Sequence, residues 1–416
     1  MIWGISVKFE FWTTPGFSHL KAVFEESDSR VGKRAEGLGT DITLIDDTVI
    51  FDYEAKEIHP DILGLLCLVT FYPFVGHEVE FPKPVSSRLF DAFQNKCFTK
   101  EKNIKFRNIS DDVALYKGEK VALSFGGGID SSAVREMFPE AFVIHEAHIR
   151  NEALIPSHSH RIVQDLGFSK GRLVKTNMRY LSRPGGWHSW PCAMSTSLIM
   201  ATDLQVGLIL TGSILGSSFL SNGTIFWDRV KARAWHGPSG NYWQSAFEAI
   251  GLTMCSPVTG VSEMQTMKQS TRLLKENQVV YCMEDNGSAC LKCTKCFRRD
   301  VIRTFIDANH FAEWDTYNTV PIHDFLEKRP LYFGHIFSSA FSLQPDIFPN
   351  WMLQKASGVP VIESDWTMRV YSDSFLLCPE KWRDYVANRV LQFIDPMTEE
   401  DKEHLRSWDQ TVSKIE

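Results

Sequence analysis

The sequence predicts an α/β protein: a parallel sheet covered by helices, with a small α+β unit before it and a helical region after it. Three observations predict this. Up to about residue 115 the chain reads as extended runs followed by apolar helices; from Lys120 onward short β-rich runs alternate with helical stretches; past Cys296 it turns mostly helical and aromatic. An alternation of strand and helix is the signature of parallel strands joined by helical crossovers. The boundaries drawn from these changes are 1–115, 116–300 and 301–416.

In chain order, Ile2 to Phe11 and Ile42 to Tyr53 read as extended segments, the second turning at Asp46-Asp47, and Pro60 to Tyr72 and Val85 to Phe98 as apolar helices. Val121 to Phe125, Ala141 to His145, Arg172 to Thr176 and Gly207 to Thr211 are the predicted strands of the parallel sheet. Between them lie the helical stretches Ser131 to Met137, Ser159 to Leu166 and Cys192 to Leu204. The charged amphipathic stretch Thr398 to Trp408 closes a region expected to cap the core.

Composition bounds the function. At 416 residues, 44% hydrophobic and 23% charged, the chain is long enough for two or three packed units. A net charge of -7 argues against broad attraction to nucleic acid, while leaving room for a local basic pocket. The apolar runs Ile62 to Tyr72 and Val206 to Leu210 fall short of the roughly 20 residues of a membrane span, and Met1 to Glu10 lacks the features of a secretory signal. The expected location is the cytoplasm, and the pocket left open by the charge is one for a phosphorylated small molecule.

The sharpest local pattern is Val121-Ala-Leu-Ser-Phe-Gly-Gly-Gly-Ile-Asp-Ser-Ser-Ala-Val, a buried strand running through three glycines into a helix start. Glycines 126 to 128 permit positive φ and close backbone approach, so successive N–H groups can form a nest around an anion. The helix beginning near Asp130 adds its N-terminal partial charge, and Ser131 and Ser132 offer hydroxyls to phosphate or to the helix end. Asp130 is placed to cap the helix or to approach the metal ion that accompanies a nucleotide. No Gly-Lys-Ser/Thr follows, so this is not a Walker A loop, and the dinucleotide fingerprint is absent too. The turn resembles the Ser-Gly-Gly-x-Asp-Ser turn of PP-loop ATP pyrophosphatases, of the adenine nucleotide alpha-hydrolase type, with Gly126 standing where that family has its leading serine. The resemblance implies ATP with Mg2+, cleaved to AMP and pyrophosphate, and contacts from Ser124, Gly126, Gly127, Gly128, Asp130, Ser131 and Ser132. Ligands in open α/β sheets bind outside the carboxyl ends of the strands. His145, His148 and Arg150 after the second parallel strand, and Thr211, Gly212 and Ser213 after the fourth, are therefore expected at the same crevice.

Nine cysteines are present, and Cys282-x7-Cys290-x2-Cys293-x2-Cys296 gathers four of them, the number that closes a tetrahedral structural zinc site. Such a site keeps no open position for substrate and is expected to pin its loop rather than do chemistry. Lys292, Lys295, Arg298 and Arg299 flank it. They either offset thiolate charge or point at substrate phosphates.

A glycine turn of this kind followed by this cysteine spacing is similar to 7-cyano-7-deazaguanine synthases, which adenylate a carboxylate and then form an amide or nitrile. Over most of the chain the order of parts more closely resembles the UDP-N-acetyl-alpha-D-muramoyl-L-alanyl-L-glutamate epimerases, the MurL family. The carriers are Leu123 to Ala133, Tyr242-Trp-Gln-Ser-Ala-Phe-Glu-Ala-Ile-Gly-Leu, Pro257-Val-Thr-Gly-Val-Ser-Glu, Cys290 to Arg299 and Pro396-Met-Thr-Glu-Glu-Asp. That resemblance implies ATP-dependent inversion of the terminal L-glutamate of a UDP-linked muramyl dipeptide, with AMP and pyrophosphate released, in the service of peptidoglycan synthesis. Asp130, His188 and Cys192 are the catalytic candidates, with Lys175 and His148 as further bases and Glu263 as a contact for metal or substrate amine. A non-enzymatic nucleotide-binding role and a different peptide substrate are the other readings.

Overall fold

In the computed structural model of the protein, the described residues are 6–26, 29–33, 40–94, 104–220, 237–282, 288–307, 309–360 and 365–410, with backbone alone over 237–242. Residues 2–5 of the first predicted strand, 95–98 of the second predicted helix and Cys97 lie outside them. Among the described residues the strands are β1 Ser6–Thr14, β2 Phe17–Phe24, β3 Val31–Lys33, β4 Asp41–Leu44, β5 Thr48–Phe51, β6 Glu78–Glu80, β7 Lys105–Phe106, β8 Lys120–Ser124, β9 Phe142–Arg150, β10 Ala153–Leu154, β11 Gly171–Thr176, β12 Ser182–Arg183, β13 Val206–Leu210 and β14 Thr253–Cys255. Eleven form one sheet in the order β14-β13-β8-β9-β11-β5-β2-β1-β6-β7, with β10 paired to β9; β12, β4 and β3 form a small second sheet.

The first five strands of that order are mutually parallel. Taken in chain order they are arranged 3-2-1-4-5, reading from β11, the order of a doubly wound sheet. The order reverses between β8 and β13, and the crevice outside their carboxyl ends is the switch point. Both faces are covered, as the unbroken burial of β13 requires. Successive residues point to opposite faces, so Ala122, Ile144 and Ile209 join one core while Leu123, Val143, Leu208 and Leu210 join another.

The N-terminal strands continue the same sheet rather than forming one of their own. β5 runs antiparallel to β11 through Thr176 and Phe51, and β2 and β1 extend it with the in-out alternation of a sheet buried on one face. Side chains stitch the joint: Asn177 Oδ1 accepts from Ile50 N at 2.9 Å, and Asp203 Oδ2 accepts from the Tyr53 hydroxyl at 2.6 Å and from Lys56 N at 3.0 Å. Helix Pro60–Phe71 is buried from Asp61 onward and packs on helix Ser195–Leu204. A helix apolar all round has no solvent face to offer, so it lies inside.

The four predicted parallel strands are all present, shifted by a residue or so, and β9 runs on to Arg150. The fifth, β14, went unpredicted because three residues give no periodicity to read. Beyond Thr294 the described residues fold into helices and 3-10 turns, and no described helix is long and apolar enough to cross a membrane. This region docks on Pro257–Glu263. Gly260 O accepts from Tyr371 N at 2.8 Å, and a Cβ built on Gly260 would lie 2.3 Å from Ser374 Oγ, so only glycine fits there.

Candidate functional site

A crevice of about 800 Å³ opens at the switch point. Its floor is the glycine turn. Gly127 has φ +79° and donates no room to a side chain, since a Cβ there would meet Ser159 Cβ at 2.6 Å; Gly128 is the N-cap of helix Ile129–Met137. No side chain caps that helix, so its first N–H groups remain for a ligand. Opposite, Gly212 presses on the helix start: a Cβ there would stand 2.8 Å from Ser131 N. Thr211 lines the crevice with its hydroxyl buried and without a hydrogen-bond partner among the described residues, and the Ser132 hydroxyl just beneath the turn is equally orphaned. Buried hydroxyls are ordinarily satisfied; of these two only Thr211 lines the crevice, where it stands beside the uncapped helix start as a donor open to an anion.

Helix Thr294–Ile306 forms the cationic wall. Lys295, Arg298 and Arg299, at i, i+3 and i+4, share one stripe, and all three line the crevice. Arg298 is held from two sides: Nε donates to Glu263 Oε2 at 2.6 Å and Nη2 to Oε1 at 3.2 Å, while the guanidinium lies 4.1 Å from the Phe333 ring centre. Arg299 donates to Tyr281 O. Lys295 has no hydrogen bond or ion pair among the described residues, and Lys292 is exposed, away from the crevice lining. Burial opposes the charge on Glu263, but Arg298 and Arg299 outweigh it and hold the carboxyl down at about 2. Asp130 behaves oppositely. Burial and then the Glu263 charge push it up to about 6, against the Thr266 hydroxyl that donates to Oδ1 at 2.7 Å. Asp130 is therefore an acid that an added cation would ionise.

The same helix carries Cys296 of the cysteine cluster, and Cys293 is its N-cap. The sulfurs of Cys282, Cys290, Cys293 and Cys296 all lie within 4.8 Å of one another, with Cys282–Cys293 at 3.9 Å and Cys290–Cys296 at 3.7 Å. A tetrahedral zinc with bonds of about 2.3 Å sets its sulfurs about 3.8 Å apart, so the cluster can hold a metal such as zinc. Backbone N–H groups of Cys293 and Cys296 point at Cys290 Sγ and Cys293 Sγ, each at 3.4 Å, donors that stabilise thiolates. The cluster is tied to the glycine turn: Val280 N, two residues before Cys282, donates to Gly127 O at 2.8 Å.

At the other end of the crevice the wall is made by the carboxyl end of β9 and the loops after β11. Glu146 and His148, two apart on one strand face, stand with Glu146 Oε1 3.2 Å from His148 Nδ1. Trp187 Nε1 donates to Glu146 Oε1 at 3.2 Å, and Arg179 lies 5.1 Å above the Trp187 ring centre.

The structure thus brings Ser124, Gly126, Gly128, Asp130, Ser131, His145, Thr211, Gly212 and Ser213 to one crevice, with Gly127 and Ser132 behind its floor. Several of these are already engaged. Ser124 Oγ donates to Ala193 O at 2.9 Å, and Ser131 Oγ to Gly128 O at 3.1 Å. His145 has both ring nitrogens committed, to Phe125 O at 2.6 Å and Ser159 Oγ at 2.9 Å, and burial pushes its pKa down to about 4. It is a neutral strut that fixes the glycine turn to β9.

His188 and Cys192 are not brought to the crevice. His188 Nδ1 bonds Thr70 O at 2.7 Å with the ring edge-on to Phe74, and the Cys192 thiol donates to Val69 O at 2.7 Å. Both are buried at the C-terminal end of helix Pro60–Phe71, where carbonyls lack intrahelical partners, and burial pushes Cys192 up to about 12. In the same segment Trp187 and Trp190 face the crevice instead. Lys175 pairs with Asp52 at 3.3 Å, outside the crevice lining. Sequence reading passed over Glu146 and Arg179; the Glu-x-His spacing at a strand end was the available signal for the first, and nothing local marks the second.

Residues 242–409 match the family model described as a family of unknown function, DUF6395. No curated protein and no solved structure matches the chain.

Proposed function

We propose that the crevice binds ATP and uses it to adenylate a carboxylate, and that the substrate is UDP-N-acetylmuramoyl-L-alanyl-L-glutamate or a related peptide, whose terminal glutamate is inverted at Cα. The observation that carries the nucleotide part is the meeting, at one switch point, of an uncapped helix start behind three glycines with a Thr211 hydroxyl and a Lys295 that have no partner among the described residues. The glutamyl substrate rests on the sequence resemblance.

In this reading the N–H groups of the turn and helix start, with Lys295, hold the departing pyrophosphate. Gly212 lets Thr211 approach the α-phosphate. Asp130 would face the Mg2+ that accompanies the phosphates and that offsets their charge. Glu263 keeps Arg298 and Arg299 in place, and the metal-loaded cysteine cluster fixes the helix that carries them. Activation serves inversion for an electrostatic reason. Removing the α-proton beside a free carboxylate stacks two negative charges, whereas the acyl group of the mixed anhydride carries none, so its α-proton yields to a base of ordinary strength.

The test is chiral analysis of glutamate after incubating that UDP-linked dipeptide with the protein, ATP and Mg2+. The expected products are D-glutamate in the peptide, AMP and pyrophosphate. Added mass from an amine in place of inversion would assign an amide-forming reaction; absence of AMP with this and other carboxylates would remove the adenylation reading.

A further inference from the structure

Two ends of the crevice differ in chemistry, and only one is accounted for by a nucleotide. The β9 end holds Glu146, His148, Arg179 and Trp187. Glu146 is buried and doubly held, by Trp187 Nε1 on Oε1 and by Ser195 Oγ at 3.4 Å on Oε2. It cannot swing away from His148, whose Nδ1 is 3.2 Å distant. Nδ1 is buried and makes no hydrogen bond of good geometry, but a carboxylate oxygen this close favours the proton on Nδ1 and leaves the other nitrogen as the base. That other nitrogen, Nε2, accepts a long hydrogen bond from Arg179 Nη1 at 3.5 Å, a contact that a substrate acyl oxygen would draw away to free the lone pair, and the guanidinium is itself braced over the Trp187 indole.

Resting on the activation reading above, we infer that His148 is the catalytic base that takes the α-proton from the activated acyl group, with Glu146 as its positioning residue and Arg179 as the donor to the acyl oxygen. The other basic candidates are committed elsewhere: both nitrogens of His145 are bonded, His188 and Cys192 are buried behind helix Pro60–Phe71, and Lys175 is paired with Asp52. His160 lines the crevice, but no carboxylate orients it.

In the step itself the Cα–H bond breaks and its proton goes to His148 Nε2. The electron pair forms the enolate, whose oxygen gains the charge facing Arg179. Water returns a proton to the opposite face of Cα and the carbonyl re-forms. The hydroxide left by that water attacks the carbonyl carbon and breaks its bond to the phosphate oxygen, releasing AMP, and the carboxylic acid so formed and His148 each pass a proton to solvent.

The experiment follows two reactions of the full-length protein in D2O, with UDP-N-acetylmuramoyl-L-alanyl-L-glutamate, ATP and Mg2+: deuterium entering Cα, by mass spectrometry, and exchange of labelled pyrophosphate into ATP. For His148→Gln the ratio of deuterium entry to exchange falls about 10²–10⁴-fold, the usual worth of a general base, and for Glu146→Gln it falls by a smaller factor. An unchanged ratio in His148→Gln overturns the assignment. If His148→Gln has lost both reactions, Glu146→Gln decides, and an unchanged ratio there overturns it. Failure of the underlying reading looks different: the unsubstituted protein then gives no exchange with this or any other carboxylate.

Discussion

The two halves of the long sheet are built from similar apolar residues and do different things. In the half formed by β5, β2, β1, β6 and β7, strands alternate in and out, and helix Pro60–Phe71 seals the inner face. In the half formed by β14, β13, β8, β9 and β11, the carboxyl ends of β8, β9 and β13 open on a crevice that gathers the Thr211 hydroxyl and Lys295, neither with a partner among the described residues, and two opposed carboxyls. Parallel strands joined by crossovers bring several loop starts to one edge, and a reversal of order parts them there. In the other half β5, β2 and β1 run antiparallel and send alternate loops to opposite edges, while β1, β6 and β7 run parallel but lie side by side in chain order, with no reversal to part their loops. The reversal of order between β8 and β13, not apolar content, separates site from wall.

The largest expected effect is on the link between cluster and crevice. Chelation, or Cys296→Ala, should remove a metal whose apparent binding free energy in zinc-finger peptides is about 10–16 kcal/mol. Because Cys293 and Cys296 flank Lys295, and Val280 holds Gly127, both thermal stability and ATP binding should fall together. Retention of ATP affinity by metal-free protein, measured calorimetrically, would separate the two.

Next come two substitutions of comparable cost and opposite consequence. Glu263→Ala leaves Arg298 buried without its carboxylate and should cost about 3–5 kcal/mol, with nucleotide binding lost as the cationic stripe loses its anchor. Leu65→Ala, in the fully buried helix of the sealing half, should cost about 2–5 kcal/mol through lost contact and cavity, yet leave ATP affinity of the folded fraction unchanged. Denaturant titration alongside calorimetry measures both; equal loss of affinity in the two variants would break the contrast.

The two carboxyls give the crevice a pH signature. Glu263 is depressed to about 2, so its contribution is complete above the ordinary carboxylate value of about 4.3 and is lost as pH falls toward 2. Asp130 is raised to about 6, so its ionisation in the folded protein costs stability, which declines as pH rises from about 4 to 6. Asp130→Asn should abolish that decline in a pH series of melting temperatures, and an unaltered series would dissociate Asp130 from it.

Smaller effects follow at the phosphate end. Lys295→Ala should weaken ATP about tenfold to a hundredfold, the worth of a charge-assisted hydrogen bond of about 1.5–3 kcal/mol, with stability changed little. Gly126→Ser should be the mildest, because a Cβ at Gly126 meets nothing within 4 Å. Stability should shift by no more than about 0.5 kcal/mol, and the added hydroxyl should tighten pyrophosphate. Weaker binding would mean that the turn uses the backbone space that glycine leaves.

By itself the sequence determined whatever depends on short-range order. Strand-to-helix alternation from Lys120 predicted the parallel strands, because periodicity records which face is buried. Three glycines before Asp130 and four cysteines at fixed spacing predicted a phosphate turn and a closed thiolate set, because both are made by one stretch of backbone. The tertiary structure decided what depends on residues far apart. That the N-terminal strands join the same sheet hangs on pairing Phe51 with Thr176. That Glu263 serves Arg298, and that His145 is spent as a strut, are settled by partners 35 and 20 residues away. His188 and Cys192 carry the right chemistry in the right segment, and packing turned them toward helix Pro60–Phe71 while Trp187 and Trp190 turned to the crevice. A local pattern names the groups a chain owns; the burial of every other segment determines which of them is left without a partner for a ligand to satisfy.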